Sequence, residues 1–292
     1  MNGTGLSYQW YRNDMAIPGA TDSSYAITGA HDHQATFASV DGSLNFLKGK
    51  LDDMRVYDRD LNATEIATLA GVSSSPPSGP VRYVKANASG SNNGTSWTNA
   101  YTDLQSALGA ASAGDEIWVA AGTYKPTSGA SRTISFSPPA GVKIYGGFAG
   151  TETLRNQRNW HTNQTILSGD LSGNDNTNIA RTEATRSDNT YNLVEIISKA
   201  TEVVMDGLVI QGGNANSGMH QVNGSGGALF MRTSTVTLRN CTFEKNTAYK
   251  GGAIYDEATD SALIFENCVF KENVADWIGA VHIGGRATFK IE

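Results

Sequence analysis

An internal repeat constrains this chain more than any other feature. Val236-Thr-Leu-Arg-Asn-Cys241-Thr-Phe-Glu-Lys-Asn-Thr-Ala248 matches Leu263-Ile-Phe-Glu-Asn-Cys268-Val-Phe-Lys-Glu-Asn-Val-Ala275 at an offset of 27. Gly251-Gly-Ala-Ile-Tyr255 matches Ile278-Gly-Ala-Val-His282 at the same offset. One unit earlier, Val203–Ala215 and Gly226-Gly-Ala-Leu-Phe230 repeat at offsets of 33 and 25, which places an insertion at residues 216–225. A short unit of β-branched or aromatic runs and glycine turns cannot bury its apolar side alone. Such units stack, one solenoid turn per repeat.

Each unit predicts three strands: Val236–Leu238, Cys241–Phe243 and Ala253–Tyr255. Between the first two, apolar parity slips by one residue at Asn240 and Asn267, which requires a tight bend. Asparagine tolerates left-handed backbone angles and can hydrogen-bond a stacked neighbour. The expected fold is all-β, a right-handed parallel β-helix with an asparagine ladder at Asn240 and Asn267. Cys241 and Cys268 are then one position in adjacent coils. Equivalent side chains on parallel strands point the same way, which disfavours disulfide geometry. Buried free thiols are the expected state.

Composition fits a solenoid. The 292 residues include 32 glycines and are 17% charged, against about 7% glycine and about a quarter charged in ordinary domains. Turns that recur in every coil account for the glycine, and a narrow core with Asn, Ser and Thr corners for the low charge. The net charge of −6 argues against nucleic-acid or anionic-membrane partners. No apolar run reaches the roughly 18 residues of a membrane span, so membrane insertion of this segment is not expected. A monomer is expected. No basic-then-apolar leader opens the chain, and Phe289-Lys-Ile-Glu292 restarts the repeat. Both features suggest a truncated fragment of a longer, secreted protein.

Several segments resemble known families. Phe-x-x-Asn (Phe243/Asn246, Phe270/Asn273) followed by Gly-Gly-Ala-Ile at 251–254 resembles the repeat of chlamydial polymorphic outer-membrane proteins, which also occurs in many bacterial surface proteins. Arg82-Tyr-Val-Lys-Ala, Asn93-Gly-Thr-Ser-Trp97 and Tyr101–Ala111 are similar to the opening segment of pectin-lyase-like β-helices. Thr102 and Gln105 have capping-box spacing, and Leu104, Ala107, Leu108 and Ala111 form one apolar stripe. A short helix here is expected to plug the solenoid's N-terminal end. Glu116–Tyr124 reads as the first coil strand, with early coils continuing through Val142–Phe148 and Thr165–Leu171.

Ahead of this domain, Leu6–Arg12, a turn at Pro18-Gly19 and Ser24–Thr28 resemble strands of a bacterial immunoglobulin-like domain, assigned to residues 1–30. Residues 49–71 look like the last strand and helix of a laminin-G/concanavalin-like jelly roll, assigned to 31–71. Asn62 with Glu65 suggests a capping box, Leu61 with Ile66 a staple and Gly71 a stop. Neither piece has enough strands for a sandwich, so both read as fragmentary β-sandwich pieces. Residues 72–80 form a linker, and residues 81–292 the β-helix.

The pectin-lyase-like resemblance implies a ligand groove along the Gly-Gly-Ala-Ile-Tyr sheet. With Leu229, Ile254 and Val281 inward, alternation turns Phe230, Tyr255 and His282 outward as a row. Aromatic faces suit sugar rings, making these the glycan-binding candidates. The other readings are surface stacking that only stabilises the sheet, or inverted parity with the row in the core. Asp170, Asn174, Asp175, Asn176 and Asn178 form a loop with oxygen ligands for Ca²⁺ near Asp170 and Asp175. Its spacing departs from an EF-hand, and such loops often serve as solvated turns. No other cofactor or metal site is expected.

Catalysis in this fold needs clustered acidic residues or paired carboxylates on neighbouring coils. Glu244 beside Lys271 and Arg239 beside Glu266 look like cross-coil ion pairs, and Asp206 has no acidic counterpart. No catalytic residue is assigned. Two functions stay open. One is a non-catalytic stalk of a secreted or cell-surface bacterial protein, adhesin-like or binding a polysaccharide or surface glycan. The other is a polysaccharide lyase or glycoside hydrolase whose active coils lie past residue 292 or in loops at 125–200.

Overall fold

A computed structural model describes residues 11–12, 15–16, 79–197, 202–218, 222–232 and 234–290. The chain divides into two units, Met1–Ser74 and Ser75–Glu292. In the first, Tyr11–Arg12 (β1) pairs antiparallel with Met15–Ala16 (β2). The other immunoglobulin-like and jelly-roll readings, with the Asn62/Glu65 cap, lie outside the described residues.

The second unit is a parallel β-helix of four sheets. The chain runs through Val81–Val84 (β3), helix Leu104–Ala110 (α1), Glu116–Ala120 (β4), Gly122–Tyr124 (β5), Lys143–Phe148 (β6), Thr165–Ser168 (β7) and Val194–Ile196 (β8). Val203–Asp206 (β9), Leu208–Gln211 (β10), Asn214–Ala215 (β11) and Leu229–Met231 (β12) form the next turn. Thr235–Arg239 (β13), Thr242–Glu244 (β14), Thr247–Lys250 (β15) and Ile254–Asp256 (β16) follow. Ala262–Glu266 (β17), Val269–Lys271 (β18), Val274–Trp277 (β19), Val281–Ile283 (β20) and Arg286–Lys290 (β21) complete the described coils.

Sheet I stacks β3-β4-β6-β9-β13-β17-β21 and sheet II β5-β7-β10-β14-β18. Sheet III is β11-β15-β19, and sheet IV is β8-β12-β16-β20. The repeat therefore carries four strands rather than the three expected, the addition being Thr247–Lys250 and its equivalents. A coil also begins at Val81–Val84, one strand before the Glu116 strand that the sequence marks as first.

Corners that turn the chain the same way in each coil make this stacking work. Asn240 and Asn267 adopt φ of 50° and 52°, level with Gly207 at 74°. A second left-handed corner joins sheets II and III at Gly212 (79°), Lys245 (55°) and Glu272 (53°). A third lies at Gly226 (68°), Gly251 (58°) and Ile278 (55°), ahead of sheet IV. Glycine enters this region freely, asparagine readily, and β-branched isoleucine only under strain.

Inward side chains fill the core: Val203, Met205, Leu208, Ile210, Leu229, Val236, Leu238, Phe243 and Ile254 are buried. An asparagine ladder lies inside, at the Phe-x-x-Asn asparagines Asn246 and Asn273. Asn246 Nδ2 donates to Ile210 O at 2.9 Å and Asn273 Oδ1 at 3.0 Å, while its Oδ1 accepts from Gly213 N at 3.0 Å. Asn273 Nδ2 repeats the pattern to Phe243 O at 2.8 Å. Asn240 instead donates Nδ2 to the Asp206 carboxylate at 2.9 Å. The corner column needs left-handed angles, whereas the interior column needs an amide that saturates buried backbone groups.

Helix α1 plugs the N-terminal end through Leu104, Ala107 and Leu108. Its cap is Asp103, one residue after the expected Thr102. The Asp103 carboxylate accepts from Ser106 N at 2.7 Å and also takes the Ser106 hydroxyl at 2.8 Å. Gln105 Nε2 reaches Ser135 O at 3.1 Å and plays no capping part. A second apolar cluster covers the outer face of sheet I, where Trp118 stacks on Phe148 at 4.8 Å beside Tyr83 and Trp97. No helix among the described residues is long and apolar enough to cross a membrane.

Asn246→Leu strands the Gly213 N–H and the Ile210 carbonyl in the core. It is expected to cost about 2–4 kcal/mol, against less than about 1 kcal/mol for Asn240→Gly, in urea unfolding. Exchanging the third corner's residues gives opposite signs. Ile278→Gly is expected to raise the thermal midpoint by relieving its left-handed strain. Gly251→Ile is expected to lower it, because a Cβ there meets Ile254 O at 2.2 Å.

Candidate functional site

Sheet IV aligns Glu195, Phe230, Tyr255 and His282 as one outward column. The alternation behind it is simple: Val194, Leu229 and Ile254 face the core, and Val281 packs against it. Phe230 and Tyr255 rings stack at 6.1 Å with 8° between planes, and Tyr255 and His282 at 4.6 Å with 26°. The column's members differ in access. Phe230 is only 1% exposed, yet it stands outside the interior cluster. Tyr255 covers it on one side, and the Arg232 guanidinium lies 5.2 Å from its ring centroid. Phe230 therefore has no face left for a sugar. Tyr255 and His282 stay half-buried.

The polar surroundings are set by burial and one ion pair. Arg232 pairs with Glu257, which raises the arginine pKa. Burial pushes the Tyr255 hydroxyl up, with Glu257 adding to the effect. Burial also raises the Glu195 carboxyl above its ordinary 4.5, with Arg232 pulling the other way. Across the Gly251 turn, Trp277 at the end of β19 is 57% exposed, and Lys250 Nζ lies 5.7 Å from its ring centroid. The sequence reading missed Trp277 because its strand was not recognised.

Long loops hold sheet III from outside. Arg181 lies 3.6 Å from the Tyr249 ring centroid and pairs with Asp276 at 2.5 Å. Buried Arg186 donates to Lys245 O at 2.8 Å, Gly213 O at 3.3 Å and Asp175 at 2.9 Å. Arg132 reaches Asn214 O at 3.1 Å and Asn216 Oδ1 at 2.8 Å. These arginines sit in loops without repeat periodicity, so the sequence offered no register for them.

In the loop considered for Ca²⁺, the carboxylates bond to groups of the chain itself. Asp170 accepts backbone N–H groups from Gly173 at 2.6 Å, Asn174 at 3.2 Å and Asp175 at 3.0 Å. Asp175 takes the Arg186 guanidinium and the Asn189 amide, each at 2.9 Å. Among the described residues, no group of three or more His, Cys, Asp or Glu gathers as metal ligands.

Cys241 and Cys268 are free thiols, the first buried and the second partly so. Cys241 Sγ contacts Arg239 O at 3.2 Å and Cys268 Sγ contacts Leu238 O at 3.2 Å. Burial pushes the Cys241 thiol up, whereas its bond to Cys268 lowers the latter. Carboxylates on the sheets are largely tied to cations: Glu116 to Arg155, Asp206 to Arg158, Glu244 to Lys271 and Glu266 to Arg239.

The Chlamydia polymorphic membrane protein repeat matches residues 240–257. That stretch runs from the Asn240 corner through ladder residue Asn246, the Gly251 corner and Tyr255 to Glu257. No curated protein matches the chain, and no solved structure matches it.

The raised Glu195 carboxyl carries a signed pH dependence. Its folded pKa lies above 4.5, so its contribution to stability falls as pH climbs from that value. Glu195→Gln removes the effect. The midpoint difference, variant minus parent, is expected to grow between about pH 4 and about pH 7 in thermal melts. A constant difference would contradict this assignment.

Proposed function

We propose that the chain is a section of a bacterial cell-surface protein whose β-helix is a non-catalytic stalk that contacts glycans through Tyr255 and His282. The observation that carries this reading is the half-exposed Tyr255–His282 stack on sheet IV, 4.6 Å between centroids. Stacked, pre-ordered rings offer flat apolar area at little entropic cost, and the C–H faces of sugars match them. Arg232, Glu257 and Lys250 supply polar groups on the flanking positions. The repeat match at 240–257 supports the surface location, because the matching repeat is that of Chlamydia polymorphic membrane proteins.

The ion-paired sheet carboxylates favour binding over lyase or hydrolase chemistry. A glycosidase needs two carboxyl groups about 5–9.5 Å apart. Glu195 is the sheet IV carboxylate with a raised pKa, and the charge acting on it is Arg232.

A glycan array probed with the chain tests the proposal. Retention of at least one glycan is expected, reduced about tenfold or more by Tyr255→Ala. Phe230→Ala is expected to lower stability by about 3–5 kcal/mol as a buried aromatic truncation. No retained glycan, or full retention by Tyr255→Ala, removes the binding role.

A further inference from the structure

Five Asn-x-Ser/Thr triplets fall within residues 79–290: Asn87-Ala-Ser89, Asn93-Gly-Thr95, Asn163-Gln-Thr165, Asn223-Gly-Ser225 and Asn240-Cys-Thr242. A chain rich in asparagine, serine and threonine makes such triplets by composition alone, so the fold decides which of them a modifying enzyme can reach. Three are closed. Thr165 is buried, its hydroxyl donating to Val119 O at 3.1 Å, and Asn163 Nδ2 donates to Gly147 O at 3.4 Å. Ser225 is buried, and Asn240 Nδ2 is held on the Asp206 carboxylate at 2.9 Å. The other two lie together in the loop between β3 and α1, where Asn87, Ser89, Asn93 and Thr95 are all exposed. Backbone bonds order this loop. Asn93 N and Gly94 N both donate to Asn99 O, at 2.9 and 2.8 Å, and Gly90 N donates to Thr98 O at 2.9 Å. Gly94 is buried at φ 72°, where a Cβ would meet the Tyr101 ring at 2.3 Å. Pressed onto that ring, it leaves Asn93 and Thr95 on either side turned to solvent.

We infer that Asn93 and Asn87 are acceptors of N-linked sugar, transferred by a separate glycosyltransferase from a donor activated as a diphosphate ester at C1. Nδ2 attacks C1 and the bond from C1 to the diphosphate oxygen breaks. The diphosphate leaves with that electron pair, and one Nδ2 proton passes to a base of the transferase. Asn93 is the better placed of the two. Its Oδ1 accepts Thr95 N at 3.2 Å and the Thr95 hydroxyl at 2.8 Å. Both bonds draw electron density onto the oxygen, which acidifies the Nδ2 protons, and neither bond occupies Nδ2. An attached sugar is bulky and hydrophilic, and an exposed loop accommodates it without disturbing the coils. The modification rests on the cell-surface location proposed above, which the repeat match supports, and not on the Tyr255–His282 contact.

Peptide mapping by mass spectrometry, on denatured protein isolated from the cells that display it, tests the assignment. Denaturation releases any glycan bound at Tyr255, whereas N-linked sugar stays on its peptide. Sugar mass is expected on the peptides carrying Asn87 and Asn93, and on none carrying Asn163, Asn223 or Asn240. A single hexose marks transfer from a nucleoside-diphosphate sugar, and an oligosaccharide marks transfer from a lipid-linked diphosphate. Thr95→Ala is expected to lower the occupancy of Asn93 about tenfold or more while leaving Asn87 unchanged. Thr95→Ser, which keeps the hydroxyl, is expected to restore it. Absence of sugar from Asn87 and Asn93, equal occupancy of the three closed triplets, or undiminished sugar on Asn93 in Thr95→Ala would overturn the proposal.

Discussion

Everything in this domain depends on coils that superimpose. Parallel strands stack with in-register hydrogen bonds only if each turn of the chain returns to the same angular position about the axis. Three left-handed corners per repeat enforce that return, at the columns headed by Gly207, Gly212 and Gly226. Each corner turns the chain into the next sheet and shifts inward parity by one residue, as from Leu238 to Cys241 across Asn240. The interior amides then hold one corner against its neighbours. Asn246 and Asn273 sit just after the Lys245 and Glu272 corners and bond the backbone of the coil below. Without them, the buried N–H and C=O groups at each bend would have no partner, a cost comparable to a lost hydrogen bond each.

Legibility in the sequence followed the chemistry of each corner. Asparagine at 240 and 267 and glycine at 226 and 251 announce left-handed backbone, so those bends were readable. Lys245 and Glu272 have no intrinsic reason to adopt it, and the register imposes it on them. The clue was Gly212 at the same level, visible only once the offset insertion was accounted for. Missing that corner hid the strand after it. Thr247-Ala-Tyr-Lys250 and Val274-Ala-Asp-Trp277 alternate weakly, because loop arginines cover their outer face and burial falls on both sides. The helix cap failed by one residue for a similar reason. Thr102 and Gln105 satisfy the spacing rule, yet Asp103 has the stronger acceptor and a serine at the matching position. The interior ladder is less conspicuous in the sequence than the Asn-Cys pair, because what sets it is the buried backbone that Asn246 satisfies.

Low charge does not mean that charge is idle here. The ionised groups are gathered into outer columns and loop clamps, where a partner one coil away recurs at a fixed separation. Exposed pairs of this kind contribute little individually, about 0–1 kcal/mol. Their larger effect is on register: slipping a strand by one residue would take Arg239 off Glu266 and Lys271 off Glu244 while turning Leu238 and Phe265 outward. The arginines of the long loops act across coils rather than within them. Arg186 bonds backbone from two successive turns, Gly213 and Lys245, so its loop couples repeats that otherwise share only neighbouring ladders.

A solenoid also explains how one column can change role along its axis. Glu195, Phe230, Tyr255 and His282 share a backbone environment, yet they pass from a half-buried carboxyl through an enclosed ring to half-exposed rings. Backbone position is supplied by the coil, so a substitution in one repeat alters surface chemistry without disturbing the strand that carries it. The condition is that the inward neighbour keeps its volume, as Leu229, Ile254 and Val281 do. Binding surfaces on such a fold therefore arise from columns that depart from repetition. The aromatic column departs most where Trp277 and Ile278 replace the Lys250-Gly251 pair of the preceding coil. Strain at Ile278 and exposure of Trp277 fall together at that point, beside the ring stack, as expected where a local departure from the repeat is retained at the expense of backbone comfort.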